Sequence, residues 1–372
     1  TDYETAEARG VLATALFGSG NAARALSEFR AALPILMQAS RQAEDGAGAA
    51  DRDRRLQFIL EAYMELLAKL RPGEVAGLDP AAESFLVADA ARSRGVQRAL
   101  AESAARASVR DPDLADLVRR EQDAQKQVSA LFGLYNNAVA APAEQQDPDA
   151  LLRLRTQIDQ LRDARAALRG EIERRFPDYA NLIDPRPASI AEVQAGLRPG
   201  EAMLATYVGQ DRTFIWAVPQ QGQASFAAPE IGERQIATAV ADLRKALDPN
   251  ASTLGDIPNF DVAGSHALYQ MLVAPVAAGL RGASSYIVVA DKALGMLPFG
   301  LLVTENAAAP QDGSGALFSG YKRVPFLIRQ AAVTQLPSVA ALNTLRKVPP
   351  APNTRRAFAG FGDPWFSQEQ AK

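Results

Sequence analysis

The stretch SYIVVADKALGMLPFGLLV, Ser285 to Val303, predicts the fold of the C-terminal half of the chain. Its first part, Tyr286 to Ala290, is a short apolar run rich in β-branched residues, which is typical of a strand covered on both faces. Asp291 follows as a turn residue, and Pro298 fits the first turn of the helix or bend behind it. We therefore expect a strand in the middle of a sheet, with its carboxyl end at Asp291 and Lys292, where open α/β sheets place ligands.

Other strand-like runs surround this stretch. Ala202 to Val208 and Thr213 to Val218 are apolar and β-prone, and the turn residues between them predict a hairpin. The further elements predicted for this half are a strand at 223–228, helices at 233–247 and 261–278, a surface loop at 304–321, a strand at 326–335, a helix from Ser338 to Leu345 and a strand at 357–361.

Residues 1 to about 180 are rich in Ala, Leu, Arg and Glu, which predicts helices separated by Gly- or Pro-containing breaks. Around Gly20 the sequence resembles one tetratricopeptide repeat, with Gly20 in the turn and Phe29 packed between two helices. The positions that carry this resemblance are Leu12, Leu16, Phe17, Ala25, Phe29, Ala32 and Leu33. About three such units are needed to bury their faces. We therefore expect either repeats upstream of Thr1 or degenerate repeats in the helices predicted at 56–70 and 80–107, which follow a loop at 45–51.

Two longer apolar stripes, at 114–135 and 151–172, recur at three- and four-residue steps and are joined by a polar loop. They predict an antiparallel helical hairpin with coiled-coil packing, which would serve as a spacer or an interaction arm. A run of prolines from Pro177 onward then marks a domain boundary. The predicted domains are tetratricopeptide-like helical repeats at 1–110, the hairpin at 111–176 and an α/β domain at 177–372.

The composition excludes several classes of function. With 48% hydrophobic and 22% charged residues, the chain is expected to be soluble and globular, and its net charge of −3 argues against a nucleic-acid partner. No apolar run approaches the ~18 residues of a membrane helix, and the N-terminus does not resemble a signal peptide. We expect a cytoplasmic protein with no membrane partner. With no cysteine and one histidine, and no EF-hand spacing, we expect no metal and no cofactor.

His266, the sole histidine, is the first candidate for catalysis. A Ser-His-Asp triad would have to use it, with Asp261 or Asp256 as the orienting carboxylate. No Gly-x-Ser-x-Gly elbow is present to supply the nucleophile. We interpret His266 as a packed or surface residue of a helix.

Three further patterns have simpler explanations. Ser319 to Lys322 spells S-x-x-K, but the companion S-D-N and K-T-G signatures are absent. Asp312 to Gly315 could cradle an anion, but no Gly-Lys-Ser/Thr follows, so it is not a P-loop. Asp291 and Asp363 each end a predicted strand and could form a carboxylate pair, although turn formation explains both. We assign no catalytic, cofactor-binding or metal-binding residue within the 372 residues.

Taken in order, six segments resemble a CHAT domain, the caspase-like domain found fused to tetratricopeptide repeats. The segments are 176–187, LRPGEAMLATYVGQDRTFIWAV (197–218), ALYQMLVAPV (267–276), YIVVADKALGMLPFGLL (286–302), FLIRQAAVTQLPSVAAL (326–342) and FAGFGDP (358–364). The likeness covers about residues 176–364, and the helical half fits the usual N-terminal partner. The sequence departs from the family pattern at Gly295, where the family often carries a histidine.

The resemblance implies a clan CD-type cysteine peptidase fold, with a mainly parallel sheet, helices on both faces and a His/Cys dyad at the ends of two adjacent strands. In this family the dyad lies C-terminal to the FGDP-like segment. No residue of this chain therefore inherits a catalytic role, and His266 does not match the catalytic position. The chain is expected to be the amino-terminal portion of such a protein, with an incomplete caspase-like domain.

Two functions follow as expectations from the resemblance. In the first, the intact protein is a cysteine endopeptidase, switched by a protein or peptide partner bound to the helical repeats. In the second, the caspase-like fold is a non-catalytic scaffold for protein interaction. In either case we expect the sheet near Val333 or Phe358 to be covered by a missing C-terminal segment or a second chain, because proteins avoid open sheet edges.

Overall fold

The computed structural model shows helices on both faces of one five-stranded sheet, preceded by a helical N-terminal region. This is the α plus α/β fold class predicted from the sequence. The residues that the structure describes are 3–41, 49–71, 73–92, 111–142, 145–177, 179–180, 187–249, 251–308, 318–339, 341–342 and 346. The strand predicted at 357–361 and the end of the helix predicted at 80–107 lie outside them.

Four helices form the N-terminal layer: α1 (Tyr3–Gly18), α2 (Ala22–Arg41), α3 (Ala49–Lys69) and α4 (residues 80–92). Gly20, with φ at +86°, makes the turn between α1 and α2, because glycine occupies the left-handed region without a Cβ clash. Phe29 of α2 is fully buried, and its ring centroid lies 5.1 Å from that of Tyr63 on α3. The turn and the packed phenylalanine agree with the sequence prediction.

Two details of this layer differ from the prediction. Leu12, one of the positions that carry the repeat resemblance, is 44% exposed, because α1 buries its opposite side through Ala6, Gly10 and Ala13. Helix α3 begins at Ala49 rather than at Leu56, so the last residues of the loop predicted at 45–51 are helical. The first part of that loop is not among the described residues.

The hairpin consists of α5 (Pro112–Ala140) and α6 (Pro148–Arg175), each with proline in its first turn. Asp111 and Asp147 cap the two helices by accepting hydrogen bonds from backbone amides, so each start is specified locally. The helices run antiparallel, since Arg175 at the end of α6 donates to Asp113 at the start of α5 over 2.7 Å.

The sheet contains β1 (Glu201–Val208), β2 (Thr213–Pro219), β3 (Ser225–Ala227), β4 (Ser285–Val289) and β5 (Ala332–Leu336), in the order β3-β2-β1-β4-β5. Strand β4 pairs in parallel with both β1 and β5 and is almost fully buried, as its sequence predicts. The other two pairings are antiparallel. The sheet is therefore mixed rather than mainly parallel, because short connections join β1, β2 and β3 and a tight hairpin can join only antiparallel strands.

Strand β5 lies at the edge of the sheet among the described residues, and only Val333 and Leu336 of it are half-buried. The strand predicted at 326–335 begins only at Ala332. The segment before it forms only an isolated antiparallel bridge between Phe326 and Val303, in which the Leu327 amide donates to the Leu302 carbonyl over 2.7 Å, and then a 3-10 turn at Leu327–Arg329. The next predicted element begins as expected, with the Ser338 hydroxyl accepting a hydrogen bond from the Ala341 amide.

Helices cover both faces of the sheet. The short α7 (Ile190–Gly196) lies on the same face as the N-terminal layer, whereas α8 (Glu233–Leu247) and α9 (Val262–Leu272) lie on the opposite face. The helix predicted at 261–278 ends at Leu272 and continues as a 3-10 helix, Ala274–Leu280, because Pro275 has no amide hydrogen for the α-helical bond.

The N-terminal layer and the sheet share one hydrophobic core. Trp216 of β2 is fully buried, and its indole N–H donates to the Ala81 carbonyl over 3.1 Å and to the Ser84 hydroxyl over 3.2 Å. Phe85 of α4 packs edge-on against the same indole, with ring centroids 5.7 Å apart. Burying aromatic surface of this size stabilises a contact by several kcal/mol. The helical layer is thus packed directly on the sheet, whereas the division into three domains stays a prediction.

Candidate functional site

The candidate site lies where β1 and β4 end side by side. The two strands run parallel, so their carboxyl ends meet at one edge of the sheet, the usual place for a ligand in an open α/β sheet. Asp291 follows β4 after one intervening residue, Ala290, and Thr206 and Val208 are close to the end of β1. Helix α4 of the N-terminal layer brings charged residues to the same place.

Asp291 ties the two strand ends together. Its two carboxylate oxygens accept hydrogen bonds from the Val208 amide, at 3.0 Å and 3.2 Å. One of them also accepts a hydrogen bond from the Thr206 hydroxyl at 3.3 Å. Burial raises the pKa of Asp291, while the positive charge of Arg92 and the Val208 hydrogen bond act in the opposite direction. The turn that the sequence predicted at Asp291 is present, and its side chain also bridges two strands.

Arg92 of α4 is the buried cation of the site. Its Nη2 donates to the Thr206 carbonyl over 2.7 Å, and its Nη1 lies 3.4 Å from the Asp89 carboxylate. Both side chains of this ion pair are at least nine-tenths buried, and Arg92 Nε has no hydrogen-bond partner among the described residues. Asp89 also accepts the Ala188 amide over 2.9 Å. Burial raises the pKa of Asp89, and the Arg92 charge opposes that rise.

A second link lies one residue further along β1. The Tyr207 hydroxyl donates to Glu61 of α3 over 2.9 Å, and burial, together with the Glu61 charge, raises the pKa of Tyr207. On the other face, Lys292 adopts a φ of +48° and donates to Glu233 of α8 over 2.7 Å. Charged groups from both helical layers therefore converge on one edge of the sheet.

The side chains of this site position the strand ends and do not form a catalytic group. Asp291, Thr206 and Arg92 use their oxygens and nitrogens mainly on backbone groups and on each other, so the cluster fixes the strand ends relative to the helices. Buried ion pairs hold geometry well because breaking one leaves an uncompensated charge. The cluster contains no thiol, hydroxyl–imidazole pair or other activated nucleophile.

His266 is not part of this site, which agrees with its interpretation as a packed helical residue. Its Nδ1 lies 2.9 Å from the Val303 carbonyl oxygen, and its Nε2 lies 3.5 Å from the Gln270 amide nitrogen. Asp261 instead caps α9 through the Gly264 amide, and Asp256 bonds to Thr253. The structure therefore assembles no triad from these residues.

The remaining sequence candidates are also apart from the site. Ser319 and Lys322 lie on a 3-10 helix, Ser319–Arg323, that has no buried residue. The segment Asp312 to Gly315 and Asp363 lie outside the described residues, so the proposed Asp291/Asp363 pair is not tested. No group of three or more His, Cys, Asp or Glu that could hold a metal occurs in the described part of the chain.

Sequence reasoning missed Arg92, Asp89 and Thr206. One signal was available: Asp89 and Arg92 are charges at i and i+3 in a helix whose other residues, from Phe85 onward, are mostly apolar. Charges at helical spacing on an otherwise apolar helix indicate a buried pair. Their partner on β1 could not be read from the sequence.

No helix among the described residues is long and apolar enough to cross a lipid bilayer. In comparisons with known proteins, residues 263–372 match the family model described as CHAT domain. This match begins within α9 and includes β4 and β5, and it starts later than the resemblance estimated from the sequence at residue 176. Neither a curated protein nor a solved structure matches the chain.

Proposed function

Because the chain is a CHAT-domain protein, with that domain matched over residues 263–372, we propose that it forms part of a caspase-like cysteine endopeptidase controlled through its helical layer. The helical layer would bind a protein or peptide partner. The sheet would hold the reacting strands. The cluster of Arg92, Asp89, Thr206 and Asp291 would connect the helical layer to the sheet.

The hydrogen bond from Arg92 to the Thr206 carbonyl carries this proposal. It joins α4 to the carboxyl end of β1, beside Asp291 at the end of β4. A shift of α4 would therefore move the strand ends at which a parallel sheet places its ligands. The Tyr207–Glu61 hydrogen bond adds a second connection from α3.

The edge of β5 supports the same proposal. Strands β1, β4 and β5 are parallel, and the outer edge of β5 has no partner among the described residues. Further parallel strands added there would place their carboxyl ends in line with Asp291. The 372 residues contain no cysteine, so the nucleophile of the proposed enzyme would come from outside them, on a further segment or a second chain.

The N-terminal layer offers a surface for the proposed partner. Val11 and Leu12 on α1 are 46% and 44% exposed, and Phe58 on α3 is 57% exposed. Gly10 and Ile59, the residues beside Val11 and Phe58, face each other across the two helices. Val11 and Phe58 therefore lie near one another, as expected of a site that binds a peptide or a helix.

Peptide hydrolysis by the full-length natural protein tests the proposal. We expect peptide cleavage to be abolished when the proposed nucleophilic cysteine, which would lie outside the 372 residues, is replaced by alanine. We expect cleavage to be reduced by Arg92→Lys, because lysine keeps the charge but changes the donor geometry. Arg54→Lys is the matched control, because the Arg54 side chain is 76% exposed. Equal hydrolysis by the natural protein and its Cys→Ala variant would exclude the peptidase.

A non-catalytic scaffold is the second candidate. The observation that favours it is that Asp291 and His266, two residues considered as catalytic candidates from the sequence, are both engaged in structural hydrogen bonds. The full-length sequence distinguishes the two functions. A strand ending in His-Gly, followed by one ending in cysteine, supports the enzyme, and the absence of either supports the scaffold.

A further inference from the structure

A cluster of positive charge lies on the segment that leads into β5. From Gly313 to Gly362 the sequence contains no aspartate or glutamate, although the chain as a whole carries a net charge of −3. The lysine and arginine residues of this stretch are Lys322, Arg323, Arg329, Arg346, Lys347, Arg355 and Arg356. Three of them, Lys322, Arg323 and Arg329, are exposed in the structure, and we call these three residues the basic cluster. A run of one sign of charge in an otherwise acidic chain indicates a surface that attracts the opposite charge.

The fold holds the basic cluster together. Arg329 folds back over the loop, where its Nη2 donates to the Lys322 carbonyl over 2.6 Å and its Nε donates to the Val324 carbonyl over 2.9 Å. The loop itself is anchored to the domain, because the Val324 side chain is buried and the Tyr321 hydroxyl accepts a hydrogen bond from the Phe260 amide over 2.8 Å. The backbone that carries the charges is therefore fixed before a partner binds, which lowers the entropy cost of binding.

None of the three cations has a carboxylate partner in the described part of the chain. Arg329 donates only to backbone carbonyls, and the side chains of Lys322 and Arg323 have no hydrogen bond or ion pair there. Arg346, the next basic residue of the stretch, is by contrast paired with Glu201 over 2.6 Å. Like charges that are held together without a counter-charge repel one another, so the basic cluster is stabilised when an anionic group binds to it.

The surroundings of the basic cluster favour a peptide over a nucleic acid or a second copy of the chain. Tyr321 and Phe326, the aromatic residues beside the cations, pack against the core, and Phe326 meets Phe260 edge-on with ring centroids 5.9 Å apart. Binding of single-stranded nucleic acid relies instead on rings that are open to stack on bases. Nucleic-acid affinity also comes from neutralising many phosphates, and three cations on a net negative chain offer few such contacts. In a two-fold contact between copies the cluster would meet itself and be repelled.

We propose that the basic cluster binds an acidic peptide segment of another protein. The planar fork of Arg323 can bind one carboxylate through two hydrogen bonds, and the ammonium group of Lys322 can bind a second as a point charge. The two residues are neighbours in the sequence, so the segment carries at least two carboxylates within a few residues. The basic cluster lies at the amino end of β5, whereas Asp291 lies beyond the carboxyl end of the parallel strand β4. This surface is therefore separate from the candidate site and does not rest on the proposed function.

Fluorescence anisotropy with labelled peptides tests the proposal. The probe contains four consecutive glutamates flanked by glycine and serine, and the matched peptide carries four glutamines instead. We expect the intact chain to bind the glutamate peptide at least tenfold more tightly at low ionic strength, and less tightly as salt is added. Lys322→Gln and Arg323→Gln should each weaken this binding about threefold or more. Arg234→Gln, which removes the same charge from an exposed position on α8, should leave it unchanged. Equal binding of the two peptides, or an equal loss in Arg234→Gln, overturns the proposal.

Charge reversal gives a second measurement that a structural effect would not reproduce. The double variant Lys322→Glu, Arg323→Glu should lose the glutamate peptide and bind a labelled peptide of four lysines, with unchanged circular dichroism because both side chains are exposed. Unchanged binding of the glutamate peptide by this variant overturns the proposal. A labelled oligothymidine of eight nucleotides tests for a nucleic-acid partner. If the oligothymidine binds more tightly than the glutamate peptide and Lys322→Gln weakens it, the cluster binds nucleic acid and the proposal is wrong.

Discussion

Arg92 and Thr206 are joined by a hydrogen bond of 2.7 Å, from Nη2 of the arginine to the backbone carbonyl oxygen of the threonine. The first residue belongs to the last described turn of α4, and the second to β1 in the sheet. A guanidinium can bridge several acceptors at once, and this one also meets Asp89. The N-terminal helices and the strand ends are therefore linked by a buried charge.

Removing this charge should cost much more than removing an exposed one. In Arg92→Ala the Asp89 carboxylate stays buried without its cation, so we expect a loss of about 3–5 kcal/mol in the free energy of unfolding. Arg54→Ala, which removes an exposed ion pair on α3, should change it by less than about 0.5 kcal/mol. Urea denaturation followed by circular dichroism measures both. Similar small losses in the two variants would show that the buried Arg92 side chain does not stabilise the contact between α4 and β1.

Asp291 should make stability fall as the pH rises. Burial raises its pKa in the folded state above the ordinary value of 3.8, so folding favours the protonated carboxyl. The stabilisation is full below pH 3.8 and is lost as the pH rises through the folded-state pKa. Asp291→Asn removes this titration but leaves that of Asp89. We therefore expect the wild type to lose stability relative to Asp291→Asn as the pH rises from about 4 towards 7.

Guanidinium denaturation of the two proteins at several pH values measures this difference. A difference in the free energy of unfolding that is constant across the range would contradict the prediction. A wild type that gains stability over Asp291→Asn with rising pH would reverse its sign, and would show that Arg92 and Val208 outweigh burial at this carboxyl.

Trp216 should be a dominant packing residue between the helical layer and the sheet. Its indole stacks on Phe226, with ring centroids 5.3 Å apart, and packs edge-on against Phe85. Trp216→Leu leaves a cavity and removes the donor to the Ala81 carbonyl, so we expect a loss of about 3–5 kcal/mol. Chemical denaturation checks this value, with Leu247→Ala as the exposed control. Equal effects of the two substitutions would mean that α4 is not packed on β2.

Gly279 should not tolerate a side chain. A Cβ placed there would lie 2.5 Å from the Ala217 carbonyl oxygen in β2, and a strand backbone cannot move aside easily. We expect Gly279→Ala to destabilise the protein by about 1–3 kcal/mol. At Gly170, within α6, the added Cβ would meet only the end of Arg174 at 3.5 Å. Gly170→Ala should therefore stabilise by about 0.5–1 kcal/mol. Thermal unfolding of both variants tests the opposite signs.

The sequence predicted most of the local elements because their signals are local. The apolar β-branched run before Asp291 specified an internal strand, and the residues after Gly232 specified α8 at its observed bounds, Glu233–Leu247. Proline and glycine positions fixed most helix ends. The prediction failed where tertiary contacts prevailed, as at Phe326, which pairs with Val303 in an isolated bridge instead of extending β5.

The candidate site was less predictable because its residues are distant in the sequence. The pairing of Arg92 with the Thr206 carbonyl uses a backbone acceptor, which has no signature in residue type. Glu61 and Tyr207 are 146 positions apart. The sequence predicted the helix that contains α4, but it could not show that the sheet covers one face of it. The sequence therefore did not show the core that the helical layer and the sheet share, and its division of the chain into three domains stays a prediction.

Native-state hydrogen exchange in increasing urea tests most directly whether the helical layer and the sheet form one unit. The account predicts that the slowest amides of α4, near Phe85, open with the same free energy and the same urea dependence as those of β1 and β4. The Val208 amide donates a hydrogen bond to Asp291, and in Arg92→Lys this amide should exchange faster. Opening of α4 at a clearly lower free energy, with β1 and β4 still protected, would contradict the account.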